Sequence, residues 1–184
     1  MIRKVVLFLI AGLWGVGVSF SADLQKLRLG YQGFILGKSP TSLEGFLPDR
    51  EAFPGTLRYR KGHLVVVLEE KERQVLALYE EFPRLSPEEL RKRVGYLFGL
   101  FGEPTFEAHG RMLFWYFTPQ GKLSAEEFRK LREEGRSPEV LAIGKFYCDH
   151  RIMEFGKGAK KKEKARAYFT LYAPEPLRRI VKNQ

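Results

Sequence analysis

One cysteine, one asparagine and three histidines in 184 residues set the first limits on this chain. A lone Cys148 cannot form an intrachain disulfide, so the fold must be held by its buried apolar side chains. His63, His109 and His150 share no ligand-type spacing, which leaves no zinc-binding pattern. The chain lacks a phosphate-binding P-loop, a dinucleotide-binding glycine pattern, Gly-x-Ser-x-Gly and His-Glu-x-x-His, so the common nucleotide-dependent, serine-hydrolase and zinc-protease signatures are absent. Its body has no low-complexity tract. Scarce asparagine beside abundant Glu, Lys and Arg points to a thermophilic source.

What is present begins with a targeting pattern. Arg3 and Lys4 precede an uncharged apolar run from Val5 to Phe20, and Ser19-Phe20-Ser21-Ala22 leads into Asp23. A positive start, a short apolar run and small residues at its end describe a secretory signal peptide over residues 1–22. The run is shorter than the roughly 20 residues a spanning helix needs. The alternative is an uncleaved N-terminal anchor. No cysteine follows the run, so the signal is not of the lipoprotein kind, and no transmembrane segment is expected in the mature chain. Residues 23–184 are then one domain, and an apolar content of 44% is ample for its core. The net charge of +10 is uneven: residues 23–155 are almost balanced, while those from Gly156 onward carry +7.

The stretch from Leu85 to Thr118 organises the rest. Ser86-Pro87-Glu88-Glu89 is a capping box with proline at the first helical position. Leu90, Val94, Leu97, Phe98 and Phe101 recur on one helical stripe, and Gly102 and Pro104 end it. Gly95 and Gly99 lie within this helix and are expected to make a smooth strip for Trp115. The strand Met112–Thr118 is apolar on both faces, which predicts a central, doubly covered position. Around it, a strand is expected over 27–36, a short Ser-Pro helix over 39–47, and a meander over 56–60, 63–69 and 74–82. A second capping box, Ser124-Ala-Glu-Glu127, opens a helix facing inward through Phe128 and Leu131. Val140–Cys148 and Arg151–Phe155 read as one bent strand, paired with Ala165–Ala173. These form a basic β-hairpin at 140–173, with Phe169 facing inward, and Leu177–Lys182 makes a helical turn. The Ser-Pro units at 39–69 and 86–118 form a faint internal echo.

Three constellations carry chemistry. Cys148 and His150 would share a strand face, as a nucleophile and base must. Glu107 and His109 could supply two metal ligands. Lys157, Lys160, Lys161, Lys162, Lys164 and Arg166, near Tyr168 and Tyr172, could track an anion. For the first two, a buried thiol beside a surface histidine and an unspecific pair are the simpler readings. No catalytic residue, cofactor or metal is assigned. Trp115 and Tyr116 are assigned to core or partner surface.

The run helix–Phe101-Gly102-Glu103-Pro104, a loop, then Trp115-Tyr116 resembles the small envelope proteins of the SmpA/OmlA (BamE-like) type. The resemblance covers about residues 85–118, with a degenerate copy at 37–69. It implies a two-helix, antiparallel-sheet fold and a role in assembling outer-membrane proteins. This chain departs from that pattern in lacking a lipid-bearing cysteine and in adding a helix and hairpin after Gly121.

The expectation is therefore an α+β domain with a single antiparallel sheet of about six strands and two or three helices packed on it. It is a periplasmic or secreted, non-enzymatic protein that binds another envelope protein through its sheet surface and its lysine-rich hairpin. The alternatives are an exported hydrolase using Cys148/His150 or the Glu107/His109 region, and an anion-binding module for lipid headgroups of a membrane surface, an acidic polymer or, least expected of these, nucleic acid.

Overall fold

The computed structural model describes residues 22–49, 53–158 and 163–182. The expected signal peptide, apart from Ala22, lies outside the described residues. The chain is α+β. Residues 22–27 form helix α1. The strands are β1 (Gly30–Tyr31), β2 (Phe34–Ile35), β3 (Leu47–Pro48), β4 (Thr56–Lys61), β5 (Leu64–Glu69), β6 (Val75–Leu85), β7 (Phe106–Ala108), β8 (Met112–Thr118), β9 (Gly121–Lys122), β10 (Ala142–Cys148) and β11 (Ala165–Tyr172). The other helices are α2 (Pro87–Phe101), α3 (Ala125–Glu133), α4 (Ile152–Gly158) and α5 (Pro174–Lys182).

Nine strands form one antiparallel sheet in the order β3-β4-β5-β6-β11-β10-β8-β7, with β9 paired to β8, and β1-β2 stand apart as a hairpin. The expected count of six was too low because β3, β7 and β9 are only two or three residues long. Segments that short show no alternation to read. The expected two or three helices become five among the described residues. The meander β4-β5-β6 and the pairing of β10 with β11 are as expected.

One face of the sheet is the core. Leu78 of β6, Phe169 of β11, Phe146 of β10 and Trp115 of β8 are each fully buried there, under α2. The capping box forms as the sequence indicates: Ser86 Oγ accepts from the Glu89 N–H at 3.3 Å, and the Ser86 N–H donates to Glu89 Oε2 at 2.7 Å. Leu90, Leu97 and Phe101 are buried and Val94 packs against them, while Phe98 stays 37% exposed. At the far end Gly102 takes φ 71°, and its N–H donates to the Phe98 carbonyl at 2.8 Å.

Several expectations are corrected. Residues 27–36 are not one strand but the end of α1 and the tight hairpin β1-β2, turned by Gln32 and Gly33 at φ 51° and 84°. Two such residues with positive φ match the right-handed strand twist. Residues 39–47 form no helix: the Ser39 hydroxyl donates to the Glu72 carbonyl at 3.2 Å instead of capping, and Gly45 turns the chain into β3 at φ 75°. The internal echo thus lacks its first helix. Residues 151–155 do not continue the strand: Arg151 precedes α4 and 152–155 lie in it, so the connection of the 140–173 hairpin contains a helix. Strand β8 is not central but next to the β7 edge. Gly95 and Gly99 do not receive Trp115. Both are exposed, with nothing within 4 Å of where a Cβ would stand. The glycine at the indole is Gly144 of β10, directly opposite in register, where a Cβ would meet Trp115 Cβ and Cε3 at 3.4 Å.

Candidate functional site

The other face of the sheet is where side chains remain available. Strand register sets Tyr116, Ile143 and Tyr172 side by side across β8, β10 and β11, and Phe114, Lys145 and Thr170 form the next row. Met112, Tyr147 and Tyr168 form the third. All but Thr118 at the end of β8 are half-buried along β8 and β10 on this side. Lys145 Nζ lies 5.7 Å from the centre of the Phe114 ring and 5.6 Å from that of Tyr168, so its charge is held over two aromatic faces. Tyr147 stacks on Tyr168 at 5.0 Å, and Tyr79 of β6 tilts against Tyr168 at 5.8 Å. Tyr79 has its hydroxyl pushed up to about 12 by desolvation and by the Glu81 carboxylate it donates to at 2.7 Å.

At one end of this face, two helices raise walls. Helix α3 starts from its own capping box, with Ser124 Oγ accepting from the Glu127 N–H at 3.2 Å. It lays Phe128 flat on Phe106 at 5.0 Å and against the edge of Tyr116 at 5.5 Å. Helix α5 starts where Pro174 ends β11, since proline cannot donate to a ladder but suits a first helical turn. Between the two helices lies an open groove of about 750 Å³. Its floor is Tyr116, Ile143, Val140 and Phe128, with Pro138 and Pro174 at the sides. Asp23, Glu139, Glu175, Arg178 and Arg179 supply the charge.

These charges are not equivalent. Asp23 is 2.7 Å from Lys26, and Arg178 is 3.0 Å from Glu175. Arg179 and Glu139 make no ion pair among the described residues. Burial, and secondarily Tyr172, pushes the Tyr116 hydroxyl above the ordinary tyrosine range, so at neutral pH it is a proton-bearing donor. The backbone of β8 here is held by Thr105, whose hydroxyl donates to the Leu123 carbonyl at 2.7 Å and accepts from the Tyr116 N–H at 3.0 Å.

The residues singled out in the sequence fall in separate places. Trp115 is core: it is fully buried and donates from Nε1 to the Gly102 carbonyl at 2.9 Å. Tyr116, its neighbour, points the opposite way into the groove. Cys148 is buried, with burial pushing its thiol up, and its Sγ is 4.0 Å from Asp149 Oδ1. His150 does not serve it. The imidazole Nδ1 is 2.8 Å from the same Asp149 oxygen and the ring packs on Phe155 at 4.7 Å. Asp149 also accepts from the Arg166 N–H at 2.9 Å, which makes it a structural clasp between β10 and β11. A protonated thiol with no base in reach is a poor nucleophile. Glu107 and His109 lie at the sheet edge and in its turn, and among the described residues no three His, Cys, Asp or Glu side chains come together to hold a metal.

The basic set is divided. Lys164 Nζ reaches back to Glu89 of α2 at 3.6 Å, whereas Arg166 is exposed on β11. Lys157 lies in α4 and not at a hairpin tip. Its side chain and Lys160, Lys161 and Lys162 lie outside the described residues. What sequence reasoning missed was the groove, built from residue 23, β8, Phe128 of α3, the 137–143 segment and α5. Its only local signals were Pro138 and the Pro174–Pro176 pair. Among the described residues no helix is long and apolar enough to cross a membrane. Comparison with protein-family models, curated proteins and solved structures found no match for this chain.

Proposed function

We propose that this is an exported, non-enzymatic protein of the cell envelope, periplasmic or secreted, that binds another envelope protein across the outer face of its sheet. The observation that carries the reading is the groove, with an apolar floor of Tyr116, Val140, Ile143 and Phe128 set between charged walls. Binding sites are concave and mostly apolar, with a few placed polar groups. The resemblance of residues 85–118 to the BamE-like proteins supports an envelope protein more than it supports an assembly role. Helix α3, which that pattern lacks, supplies one wall of the groove.

The test is a photoreactive side chain placed at Ile143, on the groove floor, or at Gly99, on the outward side of α2, with crosslinking in intact envelopes. Discrete adducts from position 143 and none from 99 are expected. Adducts from 99 alone, or from neither, would overturn the reading.

A second reading is favoured by Lys145, clamped over Phe114 and Tyr168, with Arg166 exposed on the neighbouring strand. An acidic polymer or an anionic membrane surface would meet Lys145 and Arg166 on that face, and the lysine-rich segment with Lys157, Lys160, Lys161, Lys162 and Lys164 would strengthen its attraction at long range. Lys145→Glu should then abolish retention on an anionic matrix at low salt, and unchanged retention would dismiss it.

A further inference from the structure

Resting on the groove as a protein-binding site, we propose that its occupant is an extended peptide segment bearing one aromatic or branched aliphatic residue between an acidic and a basic residue. The floor is apolar, and a large apolar side chain is the group that suits it. Pro138 and Pro174 have no N–H, so the sides add apolar surface without asking for hydrogen bonds. Charge on the two walls is opposite and unspent: Arg179 stands on α5 and Glu139 on the facing loop, and neither has an ionic partner among the described residues.

A small anion would satisfy Arg179 and be repelled by Glu139. A small cation would face the reverse conflict. A peptide answers both: with its anchor on the floor, the residues before and after that anchor share the other side of the extended chain but stand roughly 6–7 Å apart along it, so that one reaches toward each charge. The neutral Tyr116 hydroxyl offers a donor to a peptide carbonyl on the same floor. The track also continues. A second cavity of about 260 Å³ shares Pro138 and Glu139 with the first and is lined beyond them by Gln120, Lys122 and Glu127. Its mixed lining, with Leu123 and Leu131 beside those polar groups, suits the peptide's continuation.

The test uses fluorescein-labelled heptapeptides with a central Asp-Phe-Lys, an anchorless Asp-Ser-Lys, or a reversed Lys-Phe-Asp, titrated with the full chain and followed by anisotropy. The Asp-Phe-Lys peptide is expected to bind at least tenfold more tightly than the serine version. The double variant Arg179→Glu/Glu139→Arg should lose at least tenfold for Asp-Phe-Lys and gain a preference for Lys-Phe-Asp. That gain cannot come from a misfolded protein. Equal affinity for all three peptides, or no switch in the double variant, would overturn the proposal. If peptides fail while Ile143 still crosslinks a partner, the extended-segment proposal falls and outer-face binding stands. If both fail, both readings fall.

Discussion

Trp115 shows how a single residue is tied into the chain at several levels. Its indole is closed in by Phe98, Phe101 and Phe169 at ring distances of 6.0–6.4 Å, and its N–H satisfies a carbonyl at the helix end. Trp115→Ala should destabilise the protein by roughly 3–5 kcal/mol, the usual cost of removing a large buried ring. Trp115→Phe keeps the ring contacts and should cost less than half as much, chiefly the hydrogen bond at about 1 kcal/mol. Urea unfolding with unchanged slope would measure both. Its burial was legible because every residue from Met112 to Phe117 is apolar. Its contacts were not. Periodicity tells which residues share a stripe, but not that the small residue making room for the indole would be Gly144, 29 positions along the chain on the adjoining strand. Cys148 and His150 illustrate the same limit, since their nearness in sequence hid that Asp149 takes the imidazole for itself.

At the scale of elements, the two capped helices were the most readable parts, because their signals are local hydrogen bonds. The Ser86 and Glu89 pair holds the Glu89 carboxyl down at about 2, against an ordinary value of 4.5, through hydrogen bonds from the Ser86 hydroxyl and N–H. A depressed carboxyl contributes stability that is fully present above its ordinary value and is lost as pH falls through the depressed one. The denaturation midpoint should therefore drop between about pH 4.5 and 2. Glu89→Gln should flatten part of that drop, and Ser86→Ala should cost about 1 kcal/mol at neutral pH. In the same helix, Gly95 and Gly99 face open solvent without positive φ, so Gly95→Ala and Gly99→Ala should each stabilise by about 0.5–1 kcal/mol. A loss at either site, read by thermal unfolding, would mean something packs there. Two of the segments misread from sequence, 39–47 and 151–155, were misread for the same reason. Each has the right residue types for its expected element, but tertiary hydrogen bonds, such as the Ile152 N–H to the Gly110 carbonyl at 2.7 Å, chose another.

Across the whole molecule, the sheet runs from the two-residue edge β3 to the three-residue edge β7, with β6, β11 and β10 in the middle. Strands that long, paired on both sides and roofed by α2, should open only with global unfolding. Native-state hydrogen exchange should find the slowest amides in β6, β10 and β11 and fast exchange in β3 and β7, and uniform protection would contradict this layering. The α+β class and the central pairings could be read from alternation. The groove could not, because it exists only once five separate segments converge. Asp23 and Arg179 border the same opening, so a purification handle fused ahead of α1 or behind α5 would stand at its mouth and compete with whatever enters. Tethering the protein instead through Gly99→Cys, on the opposite side of the sheet, would keep the entrance clear. The native thiol, sealed in the interior, would leave that engineered position as the one a maleimide finds.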